Sequence, residues 1–425
     1  MNNKKNVYLM YLIVFLQGFV FYAPISTLYR QARGITIYDI FVIESVYWII
    51  AILGEVPWGW FADRFGYKKT LVIANLIFFI SKIVFYGAYS FPMFLLERVF
   101  LAIALSGLSG CDMAFLYSSI DEAESQKVFG RYSFCMTAGF LICSLMSTPI
   151  IACSMDLAAL LTIIPYGLAT IASLFLKEVK GEAEEKQNFK ESFKRVLGNK
   201  NIFFLLVSVA LITEVYQAIT VVLNQPQYAR SGIDVKYFGI LLAAVQIIAL
   251  ASAKVHKITE KFGNHKSILG LILAMMMSCI ILVLTRSPIL SVLSVMIVSG
   301  SMALIHPIVA DVENKTITTQ DRATILSIYA IIGDLVATVI NPMIGKAADM
   351  SLDISFKFCV GLCVVAVVLF LVYFRKEKYV VNGTEDETIS NVKEDIVIDV
   401  GGEAILQDGI TSDFADETIA DNPNN

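Results

Sequence analysis

Twelve apolar runs, each close to the length that crosses a hydrocarbon core, leave this chain few folds to choose from. Lipid offers the backbone no hydrogen-bond partners, and a helix rising 1.5 Å per residue crosses the membrane interior in about 20 residues. The runs fall at 6–29, 38–62, 70–90, 92–117, 131–152, 157–176, 202–224, 238–258, 267–285, 288–311, 324–346 and 354–374. Composition agrees: 16% of residues are charged and 57% hydrophobic, whereas soluble domains carry about 25% charge. The expected fold is all-α, a polytopic membrane protein with one helix per run. The first run follows only five residues and lacks the short apolar core and small-residue cleavage site of a signal peptide, so it is read as a retained helix.

Basic residues set the expected orientation. With the N-terminus inside, the inner connectors hold 23 Lys and Arg and the outer ones 7, a bias that places both termini in the cytoplasm of a multi-pass plasma-membrane protein. The seven cysteines lie in or at the edges of apolar runs without metal-ligand spacing, and read as small buried hydrophobes. His256, His265 and His306 form no metal-type cluster, and there is no visible nucleophile–base set. No Gly-x-x-x-x-Gly-Lys-Ser/Thr phosphate cradle occurs either. The expectation is therefore no enzyme, no cofactor, no metal and no nucleic-acid partner.

The runs divide six and six around a Glu- and Lys-rich connector. The expected domains are an N-terminal bundle (1–176), a cytoplasmic linker (177–201), a C-terminal bundle (202–378) and a tail (379–425). Twelve acidic residues and one lysine in that tail lead us to expect disorder. A trace of duplication links the halves. "ADRFGYKKT" (Ala62 to Thr70) aligns without gaps to "TEKFGNHKS" (Thr259 to Ser267) at an offset of 197, each between the second and third run of its half.

The fuller stretch "GWFADRFGYKK", with Gly59, Asp63-Arg64, Gly66 and Lys68-Lys69, is similar to the signature loop of the major facilitator superfamily. Together with the six-plus-six order, the resemblance covers roughly residues 6 to 376. It implies two pseudo-symmetric six-helix bundles that rock about a midplane site. On physical grounds Gly59 suits close helix approach and Gly66 a positive φ, while Asp63 suits the positive end of a neighbouring helix. The resemblance implies that this helix is span eleven, entered through "TTQDRATILS". Arg64, Lys68 and Lys69 are expected to pair with Asp112 or Asp121, forming a gate latch on the inner side. "GEVPWG" and "SGLSGCDMAFLYSS" resemble a bacterial drug-efflux-like subgroup, but the Gly-Pro-x-x-Gly-Gly element often carried by the superfamily's drug–proton antiporters is missing from span five.

Ionisable residues inside the membrane must be paired, hydrated or in use. Glu214 and Asp334 lie deepest and read as proton or cation sites, or as static interhelical hydrogen bonds; Glu97 and Arg98 are the next coupling candidates. Arg98 matches the superfamily's span-four arginine, with a structural pair to Glu97 or Glu44 as the alternative. Lys82 reads as a counter-ion. Gln17, Tyr216 and Gln217 are candidate cavity residues. The expected function is secondary active transport of small organic solutes by alternating access, as a monomer. Proton-coupled efflux of amphipathic or drug-like compounds leads. Ion-coupled uptake of a sugar or peptide, or a sensor or lipid-handling role on the same fold, are the alternatives.

Overall fold

A computed structural model describes residues 4–121, 124–179, 194, 196, 198, 200–249, 255–317, 322–394, 396–398 and 404–406. Met1–Leu371 forms one compact unit and Val372–Asn425 a second. The first is a helical bundle. Among the described residues ten helices are long and apolar enough to cross a membrane, the first pass is interrupted, and the eighth contributes a shorter apolar helix, which accords with the twelve-helix expectation.

The first pass is broken into α1 (Lys4–Gln17) and α2 (Ser26–Gln31). Unwound backbone at membrane depth needs partners, and the sixth pass supplies them: the Tyr166 hydroxyl donates to the Gln17 carbonyl at 2.7 Å, and the Phe21 N–H donates to Thr162 Oγ1 at 3.0 Å. The second to sixth passes are α3 (Ile37–Phe65), α4 (Tyr67–Gly87), α5 (Phe91–Leu108) continued by α6 (Cys111–Tyr117), α7 (Ser125–Cys153) and α8 (Met155–Leu174). A Thr36–Asp39 capping box starts α3, where the hydroxyl and carboxylate satisfy orphan N–H groups. The seventh pass is α9 (Lys200–Gln217), a π-helical stretch at Ala218–Leu223, and α10 (Asn224–Arg230). Then come α11 (Phe238–Ala249), α12 (Val255–Phe262), α13 (Asn264–Leu284), α14 (Pro288–Thr316), α15 (Arg322–Met350) and α16 (Leu352–Glu394). Most of the linker lies outside the described residues.

The repeat seen in the sequence is also a repeat of structure. Gly66 and Gly263 both take positive φ, 94° and 76°, where a Cβ is strained. Thr70 Oγ1 donates to the Gly66 carbonyl at 2.9 Å, and Ser267 Oγ donates to the Gly263 carbonyl at 2.7 Å. Two further copies lie at the other end of the bundle. Ser-x-Asp starts α8 (Ser154, Asp156) and α16 (Ser351, Asp353), again 197 residues apart. Arg33 binds Asp156 at 2.7 Å, and Arg230, 197 residues after Arg33, binds Asp353 at 2.7 Å. The first and last pass of each six are thus tied by the same ion pair. By the same offset Gln17 corresponds to Glu214, and each stands just before the irregular part of its pass.

In the second unit α16 runs on to Glu394, and Ile396–Ile398 (β1) pairs antiparallel with Ala404–Leu406 (β2). The rest of the tail lies outside the described residues.

Candidate functional site

Successive passes alternate in direction, so the bundle has a near end, bearing Gly66 and Gly263, and a far end, bearing Ser154 and Ser351. Contacts between the first six and last six passes concentrate at the far end. Gln225 Oε1 accepts from the Thr27 N–H at 2.7 Å, and its Nε2 donates to the Ala23 carbonyl and Ser26 Oγ. The Tyr38 N–H donates to Asp349 Oδ1 at 3.0 Å. Glycines let the helices touch there: a Cβ at Gly239 on α11 would sit 2.4 Å from the Ser144 carbonyl of α7. A Cβ at Gly345 on α15 would sit 2.8 Å from Phe41 of α3. Along α3 the far half is buried (Ile37, Ile40, Phe41, Ile43), whereas Leu53, Val56 and Trp60 toward the near end are exposed. The bundle is sealed at the far end and split from its middle to the near end.

Adjoining cavities fill that split. The largest, about 420 Å³, has Gln17, Trp48, Glu55, Asn75, Asp112 and Asp334 in its wall, and the Gln17 carboxamide donates to Asn75 Oδ1 at 2.8 Å. A second, about 340 Å³, shares Glu55 and reaches Gly59, Asp63 and Ser327 near the mouth. Behind Trp48 and Asp334 a third, about 140 Å³, adds Glu214, Gln217, Glu313 and Tyr329. The smallest, about 60 Å³, lies between Glu44, Trp48, Glu214 and Asn341. Glu214 is 4% exposed, and among the described residues its Oε2 has no hydrogen-bond partner. The π-helical stretch begins four residues after it, a distortion often found at functional sites.

Several expected residues therefore converge: Gln17, Glu214, Gln217, Asp334 and Asp112 line the cleft, with Asp63 and Gly59 at its mouth. Tyr216 lines none of these cavities. Arg98 forms an ion pair with Glu44, the pairing given above as the alternative to a coupling role. Glu97 turns away from the cleft toward Arg30, at 3.9 Å, and both are buried. Lys82 donates to the Tyr22 hydroxyl at 3.0 Å, and among the described residues it has no carboxylate partner, so the counter-ion reading is not seen. Wall residues not singled out from the sequence include Trp48, Glu55 and Glu313. Glu55 sat in a quoted motif, yet nothing in the sequence gave its facing.

The latch residues are placed differently from the expectation. Asp112 accepts from the Tyr132 hydroxyl at 2.8 Å and from the Met113 N–H at 2.7 Å. The Arg64 guanidinium lies over Trp60 and Phe65, and no ion pair joins it to Asp112 among the described residues. The reason is local to the first half: Asp112 is held by Tyr132 and by the start of its own helix, and Arg64 lies on the rings of its own helix. Asp121 immediately precedes residues outside the description, and of the stretch expected to meet Asp63, Thr318 to Ser327, the first four residues lie outside it. At the start of α4 the carboxylate over the exposed N–H groups is Glu178, which accepts from the Lys68 N–H at 3.1 Å and lies against Gly66; Lys69 is exposed. A Cβ at Gly59 would meet nothing within 4 Å. The close α3–α5 approach is made instead by Gly54 on Ser106 and by Gly107 on the Trp58 ring.

A two-part helical bundle, closed at one end around a polar cleft, defines a membrane transporter. The chain belongs to the Major Facilitator Superfamily, whose family model matches residues 7–342. It is 27% identical over 174 residues to an uncharacterised transporter of Buchnera aphidicola subsp. Schizaphis graminum, covering 40% of this chain and 44% of that one. It is 22% identical over 139 residues to an uncharacterised MFS-type transporter of Methanocaldococcus jannaschii, covering 32% and 36%. The matches thus span less than half the length of these relatives. The nucleoside transporter NupG has the same fold, with a TM-score of 0.72 at 15% identity over 88% of this chain and 99% of that one. A bacterial homologue of the human lysosomal transporter Spinster superposes with a TM-score of 0.72 at 15% identity, over 88% and 97%. A D-xylose–proton symporter gives 0.66 at 15% identity, over 88% and 97%. At these identities the likeness is one of fold.

Proposed function

We propose that the protein is a monomeric secondary transporter of the plasma membrane, with both termini cytoplasmic, that exports amphipathic or drug-like solutes in exchange for protons. In this reading passes 1–176 and 202–378 rock about the cleft, and the near end is the cytoplasmic one. One observation carries it: Glu214, buried in the cleft wall with a carboxylate oxygen that has no hydrogen-bond partner. A carboxyl group at that depth costs a few kcal/mol to keep charged without a partner, so it is suited to taking up and releasing a proton. Asp334 in the same wall is the second carrier.

The test is solute flux in proteoliposomes under an imposed pH gradient. Glu214→Gln or Asp334→Asn is expected to abolish the response to the gradient, with downhill exchange measured at solute concentrations that saturate the variant. If both variants still follow the gradient as the native chain does, proton coupling through this wall is wrong. Net accumulation with the gradient reversed would instead establish uptake.

Asp63 belongs to the proposed near-end latch. It is exposed in the open state, and it shares a cavity wall with Ser327 on α15. In the near-closed state its charge is assigned to the positive end of that helix, a contact worth about 1 kcal/mol, or roughly fivefold in population. Asp63→Asn is expected to slow turnover by that order without moving the melting temperature. Native turnover in the variant would remove the latch.

A further inference from the structure

We propose that the cargo is an organic cation with an aromatic or apolar body, held by Glu214 and Asp334 with Trp48 as its aromatic platform. This deepens the export reading and rests on it.

The charge of the cleft is the first argument. The four adjoining cavities have seven carboxylate residues in their walls and no lysine, arginine or histidine among their lining residues. One of the seven, Glu44, is already neutralised by Arg98, which stands outside the wall. An anion would therefore meet no compensating charge, and a neutral solute would leave the carboxylates unmatched.

The second, independent argument is Glu214 itself. Its side chain is nine-tenths buried or more, it lines two of the cavities, and its Oε2 lacks a partner. Asn341 stands beside it in the wall of the smallest cavity, and among the described residues nothing donates to the free oxygen, which is left for a donor or cation from outside. Leaving such an atom unmet is costly, and a cationic guest removes that cost.

Trp48 decides what kind of cation. It stands in the walls of three of the cavities, beside Asp334 in two and beside Glu214 in two. An indole face attracts ammonium and quaternary cations, most strongly when water is excluded. Bare metal ions are a poorer fit, since no three His, Cys, Asp or Glu side chains converge as ligands among the described residues. The largest cavity, about 420 Å³, has room for a small organic body.

The experiment measures binding of tetraphenylphosphonium to the full-length protein in lipid nanodiscs. Tetraphenylborate, nearly the same shape with inverted charge, is the competitor. Saturable binding of the phosphonium, undiminished by the borate at equal concentration, is expected. Glu214→Gln should weaken it about thirtyfold, Trp48→Ala about tenfold, and Trp48→Phe much less. Asp334→Asn, on a different pass, guards against a folding defect in any one variant, and all must elute as monodisperse protein. Equal affinity for the borate, or native affinity in both carboxylate variants, overturns the assignment. So does absence of phosphonium binding in a preparation that exports a neutral solute under a pH gradient, an outcome that leaves the export reading intact. Phosphonium binding with the expected variant losses, in protein that moves no solute, supports the cation site and counts against transport.

Discussion

Leucine at Gly239 is expected to open the far end of the bundle and to cut transport by about 5- to 150-fold, with little loss of folded protein. The ideal Cβ of residue 239 falls 2.4 Å from the Ser144 carbonyl oxygen, 2.7 Å from Thr148 Oγ1 and 3.0 Å from the Thr148 nitrogen. Backbone atoms cannot yield as a flexible side-chain tip can, so α11 must move away from α7. Overpacking of this kind costs about 1–3 kcal/mol, which as a bias on a two-state equilibrium is the range given. The penalty is confined to the far-closed state, because α7 and α11 belong to different halves and separate when that end opens. Nitroxide pairs at Tyr89 and Ile289, both exposed at the far end, should report longer distances in the variant. Gly345→Leu wedges the same seal at Phe41 and should act in the same direction. Gly139→Leu is the control. A Cβ there would lie 2.2 Å from the Phe15 carbonyl oxygen, but α1 and α7 lie within one half, so the wedge acts in every state and should lower stability instead. Unchanged nitroxide distances together with native turnover in Gly239→Leu would show that this seal takes no part in the cycle.

How far these contacts were legible in the sequence depends on what each one is made of. The twelve passes were legible because apolar length is a local property, and the Gly66 turn because its residue types recur around Gly263. The ion pairs Arg33–Asp156 and Arg230–Asp353 repeat just as faithfully. They were missed because the recurring letters are single residues far apart in the chain. Facing was the general failure. A helix buried in lipid is apolar on every side, so periodicity does not say which residues meet the cleft. Trp48, Glu55 and Glu313 are therefore found only when passes two, ten and eleven are set side by side. The Asp112 pairing failed for the same reason, since nothing in the sequence turns its carboxylate toward Tyr132 instead of Arg64.

Glu97→Leu is expected to lose most of its folded yield, and pairing it with Arg30→Met should restore it. Glu97 is 0% exposed, neither of its oxygens has a hydrogen-bond partner among the described residues, and Arg30 stands 3.9 Å away. Arg30 is itself buried, with its guanidinium over Phe85 and Phe94 at 5.3 and 5.8 Å. Lys82 shares this apolar cluster through Tyr22, whose ring stacks on Phe85 at 3.8 Å. Removing the carboxylate leaves the buried Arg30 guanidinium without its ion-pair partner, a change that costs about 3–5 kcal/mol. Replacing both members of a buried pair by apolar residues of similar volume is often neutral or stabilising, so the double variant should melt near the native chain. Its transport then separates two roles for Glu97. If the refolded double variant follows a pH gradient, the pair is structural and coupling belongs to the cleft wall. If it folds and moves solute but ignores the gradient, the proton passes through Glu97, and the assignment of coupling to Glu214 and Asp334 is wrong.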